Sequence, residues 1–477
     1  LPLLSDLVSG LLLLTEASLW LVLLGGAALL ARGALWAARQ PPLRLAPSVS
    51  PPTFPRVTVQ LPLRNERAVV DQLLRHTAAL DWPRERLEIQ VLDDSDDETR
   101  DVVDAGVDAL RARGYAIQAL RRADRRGYKA GALQAALPQA TGELLLLLDA
   151  DSKPEPDLLH HLAAALLARD DLGFVQARWS FGNEHTSLLT RVQALLLDGW
   201  YALELARLSA QGQPVQLTGT AALVRRSALE AAGGWLRDGG AASVTEDLDL
   251  SARLMARGFH GRTLPEVAVE TELPDTVAAW RAQQVRWVRG AGEVLRAAGP
   301  PGAAAGLLGP LLRHIRQPLF TAWLLLFPLR AVGLTPSPLP WAWPLVFPLL
   351  LLAAAAYYAA ARRRLGRSLI EAAALSPLVV TLQLGLAPAL AAGLLRGLLA
   401  KEPGEFVRTP KRGDGSRPPY RPPRAPEGAL EVLLGAAYAA LAIRAALAGE
   451  PCAASALAAF PALGLLWIGA GSLRAAR

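Results

Sequence analysis

Apolar residues fall into two patterns along this chain: long blocks near both ends and short runs in between. Residues 7 to 37 are apolar, with charge only at Glu16 and Arg32. That length suits one membrane-spanning helix with room for tilt. A cleaved signal peptide is the alternative, opposed by the length of the run and the absence of an early basic region. The proline-rich stretch RQPPLRLAPSVSPPTFP then closes a boundary. From 306 onward the chain is apolar again, in blocks near 317–334, 341–361, 370–399, 429–448 and 454–474, each near the length a bilayer requires. Arg362, Arg363, Arg364 and Arg367 form one basic cluster, and KEPGEFVRTPKRGDGSRPPYRPPR forms another. The positive-inside rule puts both on the cytoplasmic side. The block 370–399 between them is then a tight helical hairpin or a helix lying at the interface, for a total of six or seven spans.

Between these ends the pattern changes period. VTVQLPL (57–63), LEIQVL (87–92), YAIQAL (115–120), ELLLLL (143–148) and GFVQAR (173–178) read as strands, with amphipathic helical stretches such as RAVVDQLLRHTAAL and DETRDVVDAGVDALRAR between them. Strand alternating with helix predicts an α/β domain built on a parallel, doubly wound sheet, whose ligands bind beyond the carboxyl ends of the strands. The expected organisation is an N-terminal transmembrane helix at 1–40, a linker at 41–55 and the α/β domain at 56–275. Amphipathic interface helices at 276–305, membrane or interface helices at 306–400, a loop at 401–428 and membrane helices at 429–477 complete it.

Composition agrees with this division. The chain has 477 residues, 52% of them hydrophobic, and a positive mean hydropathy, too long for one ordinary domain and too apolar for a purely soluble protein. One cysteine, Cys452, rules out an intrachain disulfide and leaves nothing in favour of an oxidising compartment. The domain is therefore expected in the cytosol, on the cytoplasmic (inner) membrane. The net charge of +7 is not a nucleic-acid signature, because no basic stripe is interleaved with aromatics. The chain begins at Leu1 and its one methionine is Met255, so its N-terminal boundary is left open.

Chemistry gathers at the strand ends. The first strand is followed by Arg64, Asn65 and Glu66, the second by Asp93 and Asp94, the fourth by Asp149 and Asp151. Asp149 and Asp151 alone could be a strand end surfacing into water. Acidic residues at three strand ends of one parallel sheet point instead to a shared divalent cation on Asp149 and Asp151. Mg2+ or Mn2+ bridging a diphosphate fits such a pair. Lys129, at the start of a helix in RRGYKAGALQAAL, is either an exposed helix-start lysine or a partner of the same anion. No GxxxxGK[ST] sequence is present, which argues against an ATPase. In VTEDLDLSARLMARGF, Thr245 can cap a helix whose first turn carries Glu246, Asp247 and Asp249; Asp247 is equally a candidate general base. In RAQQVRWVRGAGEVLR, Arg281, Arg286 and Arg289 lie near one helical side. Trp280 and Trp287 suit either a plain bilayer anchor or, for Trp287, a sugar-stacking platform, with Arg286 holding phosphate.

Taken together, VLDDSDDET, DAD, TEDLDL, the Q-x-x-R-W pattern and FVRTPK resemble the membrane-bound processive family 2 glycosyltransferases of cellulose synthase type. QLPLRNE, GYKAGAL, VQARWSFGN, SLLTRVQ and TGTAALVRRSALEAAGGW are similar to bacterial relatives of the cellulose synthase-like A mannan and glucomannan synthases. The likeness covers roughly residues 55–300 and the loop at 405–412.

The resemblance implies a Rossmann-like GT-A domain that moves a hexose from a nucleotide sugar, UDP-glucose or GDP-mannose, to a growing β-linked polysaccharide with inversion and export. By motif position, Asp247 is the catalytic base beside Glu246. Arg64, Asn65, Glu66, Asp93, Asp94, Lys129, Gly131 and Asp149 contact the donor, while Asp149 and Asp151 hold the metal. Gln283, Arg286 and Trp287 hold the acceptor end and the donor phosphate. Phe406, Thr409 and Lys411 match a gating loop, with Arg408 where that pattern has valine. Transfer of one sugar to a lipid is the alternative enzymatic reading. A transporter or scaffold with a nucleotide-binding domain is the non-enzymatic one, and the scarcity of ionisable residues in the C-terminal blocks opposes it.

Overall fold

The computed structural model describes residues 2–44, 50–237, 243–297, 314, 316–331, 343–400, 409, 411, 413, 427–449 and 452–474. The leading helix α1 (Pro2–Ala38) gives way to β1 (Val57–Leu63), whose residues are buried almost throughout. A strand covered by helices on both faces loses the polar alternation of a half-exposed one. Then follow α2 (Arg67–Ala78), β2 (Leu87–Asp93), α3 (Thr99–Ala112), β3 (Ala116–Leu120), α4 (Tyr128–Ala136), β4 (Leu144–Leu147), α5 (Leu158–Leu167) and β5 (Leu172–Phe181). Next come α6 (Leu188–Gly199), a π turn at Trp200–Leu205, α7 (Ala206–Ala210), β6 (Ala222–Arg225), α8 (Arg226–Ala231), α9 (Glu246–Ala256), β7 (His260–Thr271) and α10 (Val277–Ala297).

The seven strands form one sheet in the order β3-β2-β1-β4-β6-β5-β7. β1 pairs in parallel with β2 and β4, and β2 with β3, as expected. The all-parallel expectation needs correction at β6, which runs antiparallel to both β4 and β5. Four apolar-rich residues, ALVR, carry no local mark of direction; the long excursion through α6 and α7 sets it. β7, also absent from the sequence reading, pairs in parallel with β5 through an irregular register. Ala177 faces Leu264 and Arg178 faces Ala268, so residues 265–267 bulge out. Pro265, which has no N–H to donate, sits in that bulge.

Side chains alternate across the sheet into two cores. Val57, Val59 and Leu61 of β1 pack with Val69 and Leu73 of α2, Val103 and Val107 of α3 and Leu159 and Leu162 of α5. Leu145 and Leu147 of β4 face the other way, onto Leu133 of α4, Leu229 of α8 and Leu250 and Leu254 of α9. Each fully buried leucine is worth about 1.5–3 kcal/mol relative to exposure, so the two cores fix the strand ends on which the site is built.

The C-terminal part contains α11 (Arg316–Ala331), α12 (Trp343–Arg364), α13 (Leu369–Leu399), α14 (Gly428–Leu447) and α15 (Cys452–Arg474). Among the described residues four helical segments are long and apolar enough to cross a membrane: Ala17–Ala38, Val346–Arg364, Leu369–Leu399 and Gly428–Leu447. The block near 317–334 is a helix of 16 residues with Pro328 inside it, and 370–399 is one continuous helix of 31 residues, not a hairpin. Both ends of α13 touch the α/β side: Glu371 pairs with Arg191 of α6 at 2.7 Å, and Gly397 lies against the backbone of Arg289 in α10.

The α/β domain and the C-terminal apolar helices are joined by buried charge. Arg362 at the end of α12 meets Glu184 at 2.6 Å and Asp198 at 2.9 Å, and Arg367 meets the same two carboxylates at 2.6 and 3.3 Å. Of this basic cluster, Arg362 and Arg367 are thus fixed to the domain, Arg364 donates to the Ala202 carbonyl at 2.6 Å, and Arg363 donates to the Gln40 carbonyl at 3.1 Å. Arg362, Glu184 and Asp198 are at most 4% exposed, so removing this cation leaves two buried carboxylates to share the more exposed Arg367. Arg362→Met is expected to destabilise the protein by about 3–5 kcal/mol, read as a lower unfolding temperature in detergent, whereas Arg363→Met should have a smaller effect.

Candidate functional site

A cavity of about 330 Å3 opens beyond the carboxyl ends of β1, β2 and β4 and reaches the flank of α10. Its position is where a sheet that fans out from β1 leaves a crevice. The β1 end is tied to the β2 end by short polar contacts. Asn65 has φ of 52° and donates its backbone N–H to Ser95 Oγ at 2.9 Å. Its side-chain amide donates to Asp96 at 2.7 Å and accepts from the Asp96 N–H at 3.0 Å. Arg64 pairs with Asp96 at 3.0 Å. Arg64, Asn65 and Glu66 all line the cavity.

The two aspartates after β2 part company. Leu92 is paired with Leu120 in the parallel register, so Asp93 and Asp94 lie beside Arg121 and Arg122 and point to opposite faces. Asp93, 1% exposed, accepts from Arg121 Nε at 2.8 Å and from the Ser95 N–H at 3.0 Å. It lies behind the cavity, not in its lining, whereas the expectation has both aspartates at the donor. Asp94 does line the cavity, held bidentately by Arg122 Nε and Nη2 at 2.9 and 2.6 Å.

Lys129 enters from α4, after Gly127 and Tyr128, both of which have positive φ. Its ammonium contacts Asp149 at 2.6 Å, the Gly219 carbonyl at 2.9 Å and Glu246 at 3.2 Å. Burial opposes its charge, but the carboxylates of Asp149 and Glu246 overcome that and hold its pKa above the usual lysine range. Gly131 is outside the lining; a Cβ there would meet the Arg126 carbonyl oxygen at 1.9 Å and Arg122 Nη1 at 2.5 Å. Its role is therefore close approach, not donor contact.

Asp149 and Asp151 both line the cavity, in the turn after β4. The Asp149 N–H donates to Thr220 Oγ1 at 2.8 Å. Asp151 accepts from the Glu272 N–H at 2.8 Å and pairs with Lys411 at 2.5 Å. Two hard carboxylates among lining cations suit Mg2+ or Mn2+ whose remaining positions are taken by water and substrate oxygens. Among the described residues no cluster of three or more His, Cys, Asp and Glu could cage a metal by itself, so the fit is to a site completed by substrate.

Glu246 and Asp247 open α9 and line the cavity. Burial first, then the neighbouring Glu246, pushes the Asp247 pKa up to about 7, against the pull of Lys129 and the Leu248 N–H. That N–H donates to Asp247 Oδ1 at 2.8 Å. Thr245 stands at the N-cap, as expected, but makes no side-chain capping bond. Asp249 turns away to Arg237 and to Arg253, the latter at 3.0 Å.

On α10, Gln283, Arg286 and Trp287 line the cavity together. The three arginines expected along one side have separate fates. Arg281 is buried against Glu431 of α14 at 2.8 Å, and Arg289 pairs with Glu293 at 3.2 Å. Arg286 faces the acids; burial lowers its pKa, and Glu246, Asp149 and Asp247 act in the opposite direction. Trp280 is buried, 2% exposed, among membrane-side helices. Trp287 lies 6.4 Å from Trp179, whose ring is 5.4 Å from Tyr201 in the π turn. Thr409 and Lys411 also line the cavity; Phe406 lies outside the described residues.

Sequence reasoning did not single out Trp179, Thr220, Glu272 or Arg122. Trp179 was within reach, since it stands in VQARWSFGN, and Arg122 could be found by aligning DD after one strand with RR after the next. Glu272 follows a strand the pattern did not reveal.

Comparison with known proteins places these features. Residues 55–290 match the family described as glycosyltransferase like family 2. The probable glucomannan 4-beta-mannosyltransferase 1 of Arabidopsis thaliana is 36% identical over 252 residues, which is 52% of this chain and 45% of that protein. Glucomannan 4-beta-mannosyltransferase 2 of the same plant is 38% identical over 247 residues, 51% of this chain and 46% of that protein. The chain thus spans less than half the length of these curated relatives. Among solved structures, the mannosyltransferase PcManGT from Pyrobaculum calidifontis, in complex with GDP-Man and Mn2+, shares the fold with a TM-score of 0.51 at 23% identity, covering 81% of this chain and 99% of that one.

The close approach at Gly131 is directly testable. Gly131→Ala forces its Cβ on to a backbone carbonyl and is expected to cost about 1–3 kcal/mol, seen as a lower unfolding temperature; an unchanged temperature would show that α4 does not pack this way.

Proposed function

We propose a specific activity for this chain, which carries a family 2 glycosyltransferase domain of GT-A fold at residues 55–290: inverting transfer of a hexose from a nucleotide sugar to the hydroxyl of a growing β-glycan. The observation that carries the reading is Asp247, a half-buried carboxylate with its pKa pushed up to about 7, in one cavity with Asp149, Asp151, Lys129 and Arg286. A general base works best with a pKa near the operating pH, and a leaving diphosphate needs cations. The named activity of the curated relatives supports mannose as the sugar and a β-1,4-mannan or glucomannan as the product.

In this reading Arg64, Asn65, Glu66 and Asp94 hold the nucleoside end of the donor. Asp149 and Asp151 would hold a divalent cation, Mg2+ or Mn2+, which supplies charge neutralisation at the diphosphate. Lys129 and Arg286 stabilise the same developing charge from the protein side. Trp287 and Trp179 form an aromatic wall for the acceptor sugar, with Gln283 beside them. The acceptor oxygen attacks the anomeric carbon as the bond from that carbon to the diphosphate breaks; Asp247 takes the hydroxyl proton. Attack opposite the leaving group converts an α donor into a β product. Thr409 and Lys411 close the cavity beside Asp151, as a gating loop would. In this reading the apolar helices anchor the domain at a membrane, the basic clusters favour its cytosolic face, and the product is passed across from there.

The test is to purify the protein in detergent, supply Mg2+ or Mn2+, and follow nucleotide release and polymer formation from GDP-mannose, UDP-glucose and related donors. Metal-dependent release from one donor with β-mannanase-sensitive polymer is expected. A lipid-linked monosaccharide as sole product would replace polymer synthesis with single transfer, and no turnover from any donor would sink the proposal. Asp247→Asn is expected to lower kcat by about 10²–10⁴-fold while leaving nucleotide binding within a few-fold.

The pH dependence has a definite sign. Asp247 must be ionised to accept a proton, and its raised pKa keeps it protonated below neutrality. Hence kcat/KM is expected to fall as pH drops below about 7, by up to tenfold per unit, and to level off above. A profile already flat from pH 5 upward would remove Asp247 from the role.

A further inference from the structure

The register of β2 and β3 sets two aspartates beside two arginines, and the two pairs differ in what else they touch. Arg121 binds Asp93 at 2.8 Å and Asp104 at 2.9 Å, away from the cavity lining. Arg122 binds both oxygens of Asp94, at 2.9 and 2.6 Å. The same guanidinium donates to the carbonyls of Arg126 at 2.7 Å and Tyr128 at 2.8 Å. Those carbonyls belong to the turn that carries Gly127 and Tyr128 at φ of 71° and 48°, immediately before Lys129. Gly131 is bare of a side chain where a Cβ would come within 2.5 Å of Arg122 Nη1. One planar fork of donors therefore spans the carboxylate at the nucleoside end and the backbone that aims the lysine at the diphosphate end.

We propose that Arg122 is a positioning residue for nucleotide recognition, fixing Asp94 and the Lys129 turn in one rigid unit before the donor arrives. The inference rests on the donor site described above. A guanidinium is suited to this because its donors lie in one plane at fixed angles, whereas an ammonium has neither the fork nor the reach to serve a carboxylate and two carbonyls together. Asp94 does not need to be reoriented when the nucleoside binds, and the strained φ of Tyr128 is held by the carbonyl contact. Organisation in advance of binding appears in affinity, because the ordering cost is met during folding. The effect falls chiefly on affinity, since Arg122 itself does not line the cavity.

The test compares Arg122→Met and Arg122→Lys with the wild type in full-length detergent-solubilised protein, measuring GDP and UDP affinity by calorimetry with Mn2+ and steady-state kinetics with the preferred donor. For Arg122→Met the donor KM and the nucleoside diphosphate Kd should each rise about tenfold or more, with kcat at saturating donor within about threefold. Arg122→Lys should recover charge but little of the affinity. In a cycle with Asp94→Asn, the double variant should lose less nucleotide affinity than the two single losses combined, because part of each acts through the shared contact. Arg121→Met, which breaks the neighbouring pair outside the cavity, sets the structural baseline in unfolding temperature and KM. An unchanged Kd in Arg122→Met, a KM rise no larger than that of Arg121→Met, or full additivity with Asp94→Asn would each overturn the proposal. Should the wild type bind neither nucleotide, the donor reading itself fails, an outcome distinct from wild-type binding that is indifferent to Arg122.

Discussion

The buried ammonium of Lys129 is the contact on which the site depends. It joins Asp149 after β4, Glu246 at the start of α9 and the carbonyl of Gly219 before β6, three segments that are distant in sequence. Without a cation there, Asp149, Glu246 and Asp247 would repel one another in a partly desolvated space. With it, Asp247 sits at the balance point: burial and Glu246 push its pKa up, and Lys129 pulls it down. Gly219 completes the arrangement, because φ of 82° and an Asp247 oxygen within 2.9 Å of a notional Cβ leave room for no side chain. The charge balance is thus a product of backbone shape as much as of side-chain type.

That balance has to be compatible with a second cation and an anionic substrate. The lining contains Glu66, Asp94, Asp149, Asp151, Glu246, Asp247 and Glu272 against Arg64, Arg125, Lys129, Arg286 and Lys411. Lysines contact Asp149 and Asp151, the carboxylates suited to a metal, at 2.6 and 2.5 Å. Ammonium groups on flexible stems can yield those oxygens to a metal and turn to phosphate. Asp94, whose carboxylate is locked by a rigid guanidinium, cannot turn so readily. The contrast separates the part of the cavity built to exchange partners from the part built to stay fixed.

How much of this was legible in the sequence follows from what each feature depends on. β1 and β2 are legible almost to the residue, because VTVQLPL and LEIQVL alternate apolar and polar positions with the two-residue period of a strand. β6 was not, since ALVR owes its strand form to two antiparallel neighbours, and β7 was hidden by Pro265 and a bulge. Asp149, Asp151, Lys129, Asp247 and Arg286 converge because the order of elements already sends strand ends and helix starts to one edge. Asp93 and Asp94 separate because the alternation of a strand puts consecutive residues on opposite faces, which their adjacency in the sequence conceals. Arg281 and Trp280 were grouped with Arg286 and Trp287 on periodicity alone, whereas α14 and the membrane-side core claim them.

The site is also not the property of residues 55–290 by themselves. α10 brings Gln283, Arg286 and Trp287 to the cavity, and its position is set from below by α13. Gly393 lies against Val285, and Gly397 lies against the Arg289 backbone, at separations where a Cβ would meet Arg289 O at 2.1 Å. α13 is in turn seated on α15, where Gly385 and Gly464 approach backbone to backbone. Small residues at these crossings let helices approach without intervening side chains, so a shift in any one is passed on rather than absorbed by side-chain rearrangement. From the other side Lys411 and the Gly413 N–H reach Asp151 and Glu272 at 2.5 and 2.9 Å. The α10 side of the cavity and the residues beside Asp151 are therefore held by elements beyond the α/β domain, and the geometry of the cavity follows the packing of helices that share no sequence neighbourhood with it.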